Sequence, residues 1–239
     1  MEVEIIKLDH NGRGIGYLNN KIIFIENALI GEKIDVEVIK ETSKYLEGRV
    51  KKYITESSKR TKSKCPFYEN CGGCHLRHIS YKDTLNFKKN KVKEILLKYA
   101  NIEPKIEVIK CENRDFYRNK IEVKIKDGVC GFYKKSSHDL VEIDRCLNAE
   151  EAINSFLLNI SALHLNNGDV TIKSNYNGEI LIVIDTNEEP NIDIESLRSK
   201  NKLVGIVVND KLIYGSDHFI EIIANMFFKE SYNSFFQVN

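Results

Sequence analysis

An all-β N-terminal domain followed by an α+β domain of antiparallel sheet that carries a cysteine loop is the fold class this chain predicts. Three observations carry it. Short runs rich in Val, Ile and aromatic residues, separated by Asn-Gly, Asn-Asn and Glu-Asn turn signals, fill residues 1–54. Three cysteines, Cys65, Cys71 and Cys74, fall within ten residues. After Pro104 the pattern is mostly strand-like, with only short helical interruptions.

In order, the first domain should hold strands at Val3–Lys7, Gly16–Leu18, Lys21–Ile25, Lys33–Ile39 and Leu46–Tyr53. Strands this short and close suit a small closed barrel of the OB type, which leaves no exposed sheet edge. Residues 55–64 (TESSKRTKSK) are polar and basic without apolar periodicity and read as a linker. From Ser80 to Tyr99 the apolar residues Leu85, Val92, Ile95, Leu96 and Tyr99 recur at helical spacing, with Lys82, Lys88, Lys89, Lys91 and Lys93 between them. Strands are then expected at 105–109, 119–126, 129–134 and 139–143, with Asp127-Gly128 as a hairpin turn. A helix over 148–165 should open on Asn148 as its cap. Strands at 169–175 and 179–185 turn at Asn177-Gly178, a short helix covers 193–199, and strands near 203–208, 211–214, 218–223 and 225–230 complete a domain spanning 65–230.

The net charge of +1 conceals segregation. Residues 40–64 carry nine basic and three acidic side chains and residues 75–99 seven and two, whereas 148–239 carry six and thirteen. Basic charge gathered around the cysteine loop raises the local potential toward phosphates. A solvated helix face beside a basic linker would give the same count. No apolar run reaches the roughly 18 residues that span a bilayer, and the start MEVEIIKLDH lacks a secretory signal's basic and apolar regions. A cytoplasmic monomer is expected, in a reducing setting where six cysteines are ligands or plain thiols before they are disulfides.

Gly12-Arg13-Gly14-Ile15-Gly16 resembles a dinucleotide fingerprint only superficially, since a β-type segment follows where a helix is needed; turn-shaping glycines are the better reading. The cysteines are more specific. In Cys65-x5-Cys71-Gly72-Gly73-Cys74 the glycines let the backbone fold tightly enough for thiolates to converge. A fourth ligand could be Cys111, Cys130 or Cys146. Four thiolates suit zinc or an iron–sulfur cluster; the three-plus-one spacing favours the cluster, while His75 and His78 keep zinc open. A radical enzyme that cleaves S-adenosylmethionine is disfavoured, since it needs an open iron and CxxxCxxC spacing.

The segment CPFYENCGGCHLRHISYKDTLNFKKNKV resembles the iron–sulfur region of the bacterial 23S rRNA (uracil-5-)-methyltransferase family. The Tyr117–Lys120 element, the Gly131–Tyr133 strand and Ile143–Leu147 follow as in that family, and residues 1–54 resemble its TRAM domain, a small RNA-binding barrel. Phe235-Phe236-Gln237-Val238-Asn239 is similar to the motif leading into its catalytic domain, so that 231–239 would begin that domain. Thr84 departs from the pattern, where Gln is expected.

The resemblance implies that Cys65, Cys71, Cys74 and Cys146 ligate a 4Fe–4S cluster of structural or RNA-positioning role, with Cys111 and Cys130 as ordinary thiols. It implies RNA contacts at Arg118 and Lys120, for which spacing alone favours a surface cross-strand pair with Glu122 or a neighbour; Arg60 and Lys62 are weaker candidates from the basic linker. It gives Gln237 a place at S-adenosylmethionine and Phe236 a place near the extruded target base. In this family a cysteine thiolate adds to C6 of uracil before the methyl group reaches C5, and that nucleophile lies in a later doubly wound domain. No stretch here shows the strand–helix alternation of such a domain. The expectation is therefore a truncated chain that binds RNA weakly and methylates nothing alone. The alternative is a complete, non-catalytic RNA-binding adaptor with a structural metal.

Overall fold

The computed structural model describes residues 1–237; Val238 and Asn239, the end of the FFQVN motif, lie outside the described residues. The chain divides into two compact units, one of Met1–Glu69 with Gly73–Cys111, the other of Asn70–Gly72 with the residues from Glu112 onward.

In the first unit six strands, β1 (Glu2–Glu4), β2 (Lys7–Leu8), β3 (Gly14–Leu18), β4 (Lys21–Ile25), β5 (Lys33–Glu41) and β6 (Tyr45–Thr55), form one sheet in the order β1-β5-β6-β4-β3-β2. The N-terminal segment serves both ends of that order: β1 pairs with β5 and β2 with β3, and the Ile6 amide donates to the Ile15 carbonyl. The sheet thereby wraps on itself around Val3, Ile5, Ile23, Ile25, Ala28, Ile34, Val36 and Leu46. Each buried Val, Ile or Leu side chain here contributes about 1.5–3 kcal/mol. The glycine-rich string shapes a turn and a close approach in this sheet. Asp9 accepts from the amides of Asn11 and Arg13 at 2.8 Å and from the Arg13 side chain at 2.8 Å. Gly12 there has φ +86°, and a Cβ on Gly16 would stand 2.3 Å from Val3.

Residues 55–64 do not act as a free spacer. The Ser57 amide and the Arg60 side chain bond Glu32, and the Thr61 amide donates to the His78 carbonyl. The segment and helix α1 (Tyr81–Ala100) thus share the barrel's unit, whereas composition assigned α1 to a 65–230 domain. Ser80 caps α1 by accepting from the Asp83 amide, and Asn101 ends it in the left-handed region at φ 54°. Thr84, the departure from the family pattern, is the helix's one buried residue among those described.

The second unit holds a seven-stranded sheet in the order β13-β12-β11-β10-β7-β8-β9, built from β7 (Lys120–Lys126), β8 (Val129–Tyr133), β9 (Leu140–Glu142), β10 (Gly168–Ser174), β11 (Glu179–Asp185), β12 (Lys202–Val208) and β13 (Lys211–Gly215). A separate hairpin joins β14 (His218–Ile223) to β15 (Met226–Ser231). Ile121, Val123 and Ile125 alternate inward along β7, and Ile180, Leu181 and Ile182 are buried consecutively on β11, as befits a central strand. Asp127 and Gly128, at φ 52° and 76°, make the expected turn.

Three expectations change. The sheet is not wholly antiparallel: β11 and β12 run parallel, joined through α3 (Ile194–Lys200), since a crossover helix returns the chain to the same sheet end. Residues 105–109 form no strand, and Ile109 is 96% exposed. The 148–165 helix is shorter: α2 spans Glu151–Leu157 and a 3-10 turn covers Ile160–Leu163. The Asn148 carbonyl accepts from the amides of Tyr117 and Arg118, so it is held in bridge geometry and Glu150 stands at the helix start. No described helix is long and apolar enough to cross a membrane.

Candidate functional site

The cysteines divide between the units: Cys65 and Cys74 fall in the first, Cys71 and Cys146 in the second, all four half-buried. In the first unit the loop is pinned by a buried aromatic pair. Tyr68 and His78, 4% and 3% exposed, stack with ring centroids 6.0 Å apart. The phenolic oxygen lies 2.5 Å from His78 Nδ1 and donates to the His75 carbonyl at 2.9 Å, an arrangement that closes when Nδ1 carries the proton. Burial pushes the Tyr68 hydroxyl well above its ordinary range, so it stays a neutral donor. The Tyr68 amide reaches back to the Cys65 carbonyl at 3.3 Å.

In the second unit residues 70–72 lie along the end of β8. Cys71 bridges Lys134, the Gly72 amide donates to Tyr133 at 2.9 Å, and the Lys135 amide to Asn70 at 3.0 Å. A Cβ on Gly72 would stand 2.9 Å from the Tyr133 carbonyl oxygen, so the glycine is required by close approach rather than by an unusual φ. Cys146 is held by Asn154, which sequence reasoning missed. The Cys146 amide donates to Asn154 Oδ1 at 2.7 Å, while Asn154 Nδ2 donates to the carbonyls of Cys146 (3.2 Å) and Ala149 (3.0 Å). The signal available was only an Asn in a short amphipathic helix. Burial, with Glu142 nearby, pushes the Cys130 thiol up to about 12, which makes it inert.

Thiolates are soft donors that suit a thiophilic metal or cluster, and each of these four cysteines is half-buried within its own unit. Among the described residues, however, no three His, Cys, Asp or Glu side chains stand together as a metal-binding group.

The cationic candidates fare differently from one another. Arg118 is exposed but lies before β7, in a parallel bridge to Ala149, with its guanidinium 6.0 Å from the Tyr117 ring centroid. Lys120, half-buried, opens β7 opposite Lys173. Lys62 is exposed. Arg60 is committed elsewhere: its fork meets Glu32 at 2.7 and 2.6 Å, it donates to the Asn27 carbonyl at 2.7 Å, and it covers the Tyr53 ring at 4.1 Å. Burial pushes the Glu32 carboxyl up, but Arg60 and the amides of Ser57 and Leu29 outweigh it and hold it below its ordinary range. The guanidinium has little left to offer a phosphate.

The segment bearing Phe236 and Gln237 is anchored by another missed residue. Lys173, fully buried, bonds Glu230 at 3.1 Å and donates to the carbonyls of Ser231 (2.9 Å) and Ser234 (3.0 Å). Burial lowers its pKa, with Glu230 opposing. Beyond this anchor Phe235 is 83% exposed, Phe236 half-buried and Gln237 exposed.

Comparison with known proteins adds an independent line. Residues 1–51 match the family model of the TRAM domain. An uncharacterized RNA methyltransferase of Clostridium tetani is 33% identical over 266 residues, covering 95% of this chain and 58% of the relative. One from Clostridium acetobutylicum is 29% identical, over 100% of this chain and 61% of its own length. Among solved structures, the Pyrococcus abyssi tRNA (uracil-54, C5)-methyltransferase in complex with S-adenosyl-L-homocysteine matches with a TM-score of 0.76 at 22% identity, over 99% of this chain and 61% of that one. That likeness is one of fold. The chain spans about three fifths of the length of the relatives it matches.

Proposed function

We propose that this chain is the RNA-holding part of an S-adenosylmethionine-dependent methyltransferase that acts on C5 of a uridine, with 23S rRNA as its substrate. One observation carries the reading. Nearly the whole chain aligns with relatives named as RNA methyltransferases, while the described residues contain no doubly wound parallel sheet. The TRAM match over 1–51 and the basic segments 40–64 and 75–99 support the RNA-holding role.

Arg118 would meet phosphate as a planar fork, and Lys120 and Lys62 as point charges. Phe236 would pack beside an extruded uracil and Gln237 would hydrogen-bond S-adenosylmethionine. Cys65, Cys71, Cys74 and Cys146 would hold a 4Fe–4S cluster, with zinc as the second choice. A fully thiolate-ligated cluster supplies structural rigidity and charge, with no iron open to substrate. The work takes place in the cytoplasm, on a monomer.

Two measurements test this. Anaerobically purified protein should contain about four irons and four sulfides per chain, the complement of one such cluster; one zinc without sulfide overturns the cluster. The 239-residue polypeptide should bind a 23S rRNA fragment more tightly than tRNA and transfer no methyl group from labelled S-adenosylmethionine. Methyl transfer by it, or preference for tRNA, refutes the corresponding part of the reading.

A further inference from the structure

We propose that a groove of the first unit, between α1 and residues 104–110, holds a single-stranded stretch of RNA. The groove has a volume of about 820 Å³, and its lining includes Lys82, Lys89, Lys93, Lys105 and Lys110 against a single carboxylate, Glu107. Lys93 is neutralised by Glu103 at 2.6 Å. Among the described residues the other four lysines have no carboxylate within ion-pair distance. They are exposed and charged, so their field is directed at solvent rather than spent inside the fold.

Their placement follows from helix geometry. Lys82, Lys89 and Lys93 stand at i, i+7 and i+11, a spacing that returns to one face every 3.6 residues. The part of the row not paired to a carboxylate, Lys82 to Lys89, runs about 10 Å at 1.5 Å per residue, and Lys105 and Lys110 extend the charge from the facing segment. A polymer with one charge every few ångströms meets such a row at several points, whereas a small anion meets one lysine. Lysines make point contacts to phosphate without a fixed fork geometry, which suits a backbone of variable path.

Between the cationic walls the lining is apolar: Leu85, Pro104, Ile106 and Val108, with the Tyr81 ring at one end. A duplex buries its bases and offers such a surface nothing. An unpaired strand can lay ribose and base faces on it while its phosphates reach the lysines. The groove thus combines the two requirements of single-strand binding, and it lies apart in sequence from Arg118, Lys120 and Phe236. The inference rests on the RNA-holding reading above and adds to it a place and a strandedness.

Fluorescence anisotropy of the full 239-residue protein with a labelled oligouridylate, across a salt series, tests it. Replacing Lys82, Lys89, Lys105 and Lys110 together by Ala should weaken binding at least tenfold at low salt. The slope of log affinity against log salt should become less steep by about 3, at about 0.7 per phosphate contact on single strands. The Lys→Arg set should restore binding, which separates lost charge from lost fold, and a thermal melt should coincide with wild type. K126A/K200A/K211A, removing exposed lysines of the second unit outside the basic segments, should stay within threefold of wild type.

Equal losses in the two Ala sets overturn the proposal, as does a loss that is as large for an RNA duplex as for the single strand. Competition by polyglutamate as effective as by oligouridylate would reassign the groove to acidic protein segments and overturn it as well. If wild type binds RNA and the groove variant matches it, the groove fails and the broader reading stands; if wild type binds no RNA, both fail.

Discussion

Arg60→Ala is the perturbation with the sharpest expected outcome. The guanidinium places two hydrogen bonds of 2.7 and 2.6 Å on Glu32 and one of 2.7 Å on Asn27, and Glu32 is fully buried. Truncation strands a carboxylate with only the amides of Leu29 and Ser57 for company. Removing one member of a buried pair costs about 3–5 kcal/mol. With a urea m-value of about 2 kcal/mol/M, the midpoint for the first unit should fall by about 2 M. The assay is urea unfolding followed by amide exchange in peptides from residues 1–64.

The pH dependence should change sign with it. In wild type the Glu32 carboxyl is held below its ordinary value of 4.5, so its contribution is fully present above that pH and is lost as pH falls through the lower, folded-state value. In R60A burial dominates and the folded-state value rises. The folded protein then binds the proton more readily than the unfolded chain, and stability is lost as pH climbs through the raised value. R60K keeps the charge without the fork and should fall between. A midpoint shift under about 0.5 M with an unchanged pH slope would refute this argument. It would return Arg60 to the role of a surface cation.

Three further outcomes are expected. Gly72→Ala forces a Cβ against the Tyr133 carbonyl 2.9 Å away, and should cost about 1–3 kcal/mol as overpacking while speeding exchange in 133–135; unchanged exchange there would count against the bridge. Asn154→Ala leaves the Cys146 amide and carbonyl without their side-chain partner, at about 1–3 kcal/mol, and should lower metal content of anaerobically prepared protein; full metal content would show that Cys146 needs no such holder. Lys173→Met should cost about 3–5 kcal/mol and deprotect residues 231–237, with Lys173→Met/Glu230→Leu recovering much of the loss; a double variant no better than the single would deny the pair.

What could be read from residues alone follows the range of the forces involved. The strands from β7 to β15 lie within about two residues of their expected bounds because period-two burial and turn chemistry are local, as Asp127-Gly128 and Asn177-Gly178 illustrate. The parallel pairing of β11 with β12 is not local, and nothing in either strand distinguishes it. The run Ile106–Ile109 has a strand's composition, yet no strand is paired with it, and composition alone cannot supply a neighbour. The site divides in the same way. The three cysteines stand out by their spacing, but nothing in that spacing shows residues 70–72 lying along the end of β8. Asn154 and Lys173 do not stand out, since each acts through a backbone group brought in by the fold, in the case of Lys173 from 58 and 61 residues away. Arg60 misled for a related reason: in a basic run, nothing marks the one side chain whose partner lies 28 residues earlier.

Helix α1 has a consequence of another kind. It keeps twenty residues in order with one buried side chain, so its order owes more to its own caps and propensities than to tertiary packing. The amides of such a helix should exchange well before those of strands β1–β6. Anything that grips its lysine row would select the helical form and slow that exchange along its whole length. Occupancy of one face would thus be legible as a change in dynamics at the far end of α1, with no displacement of the barrel at all.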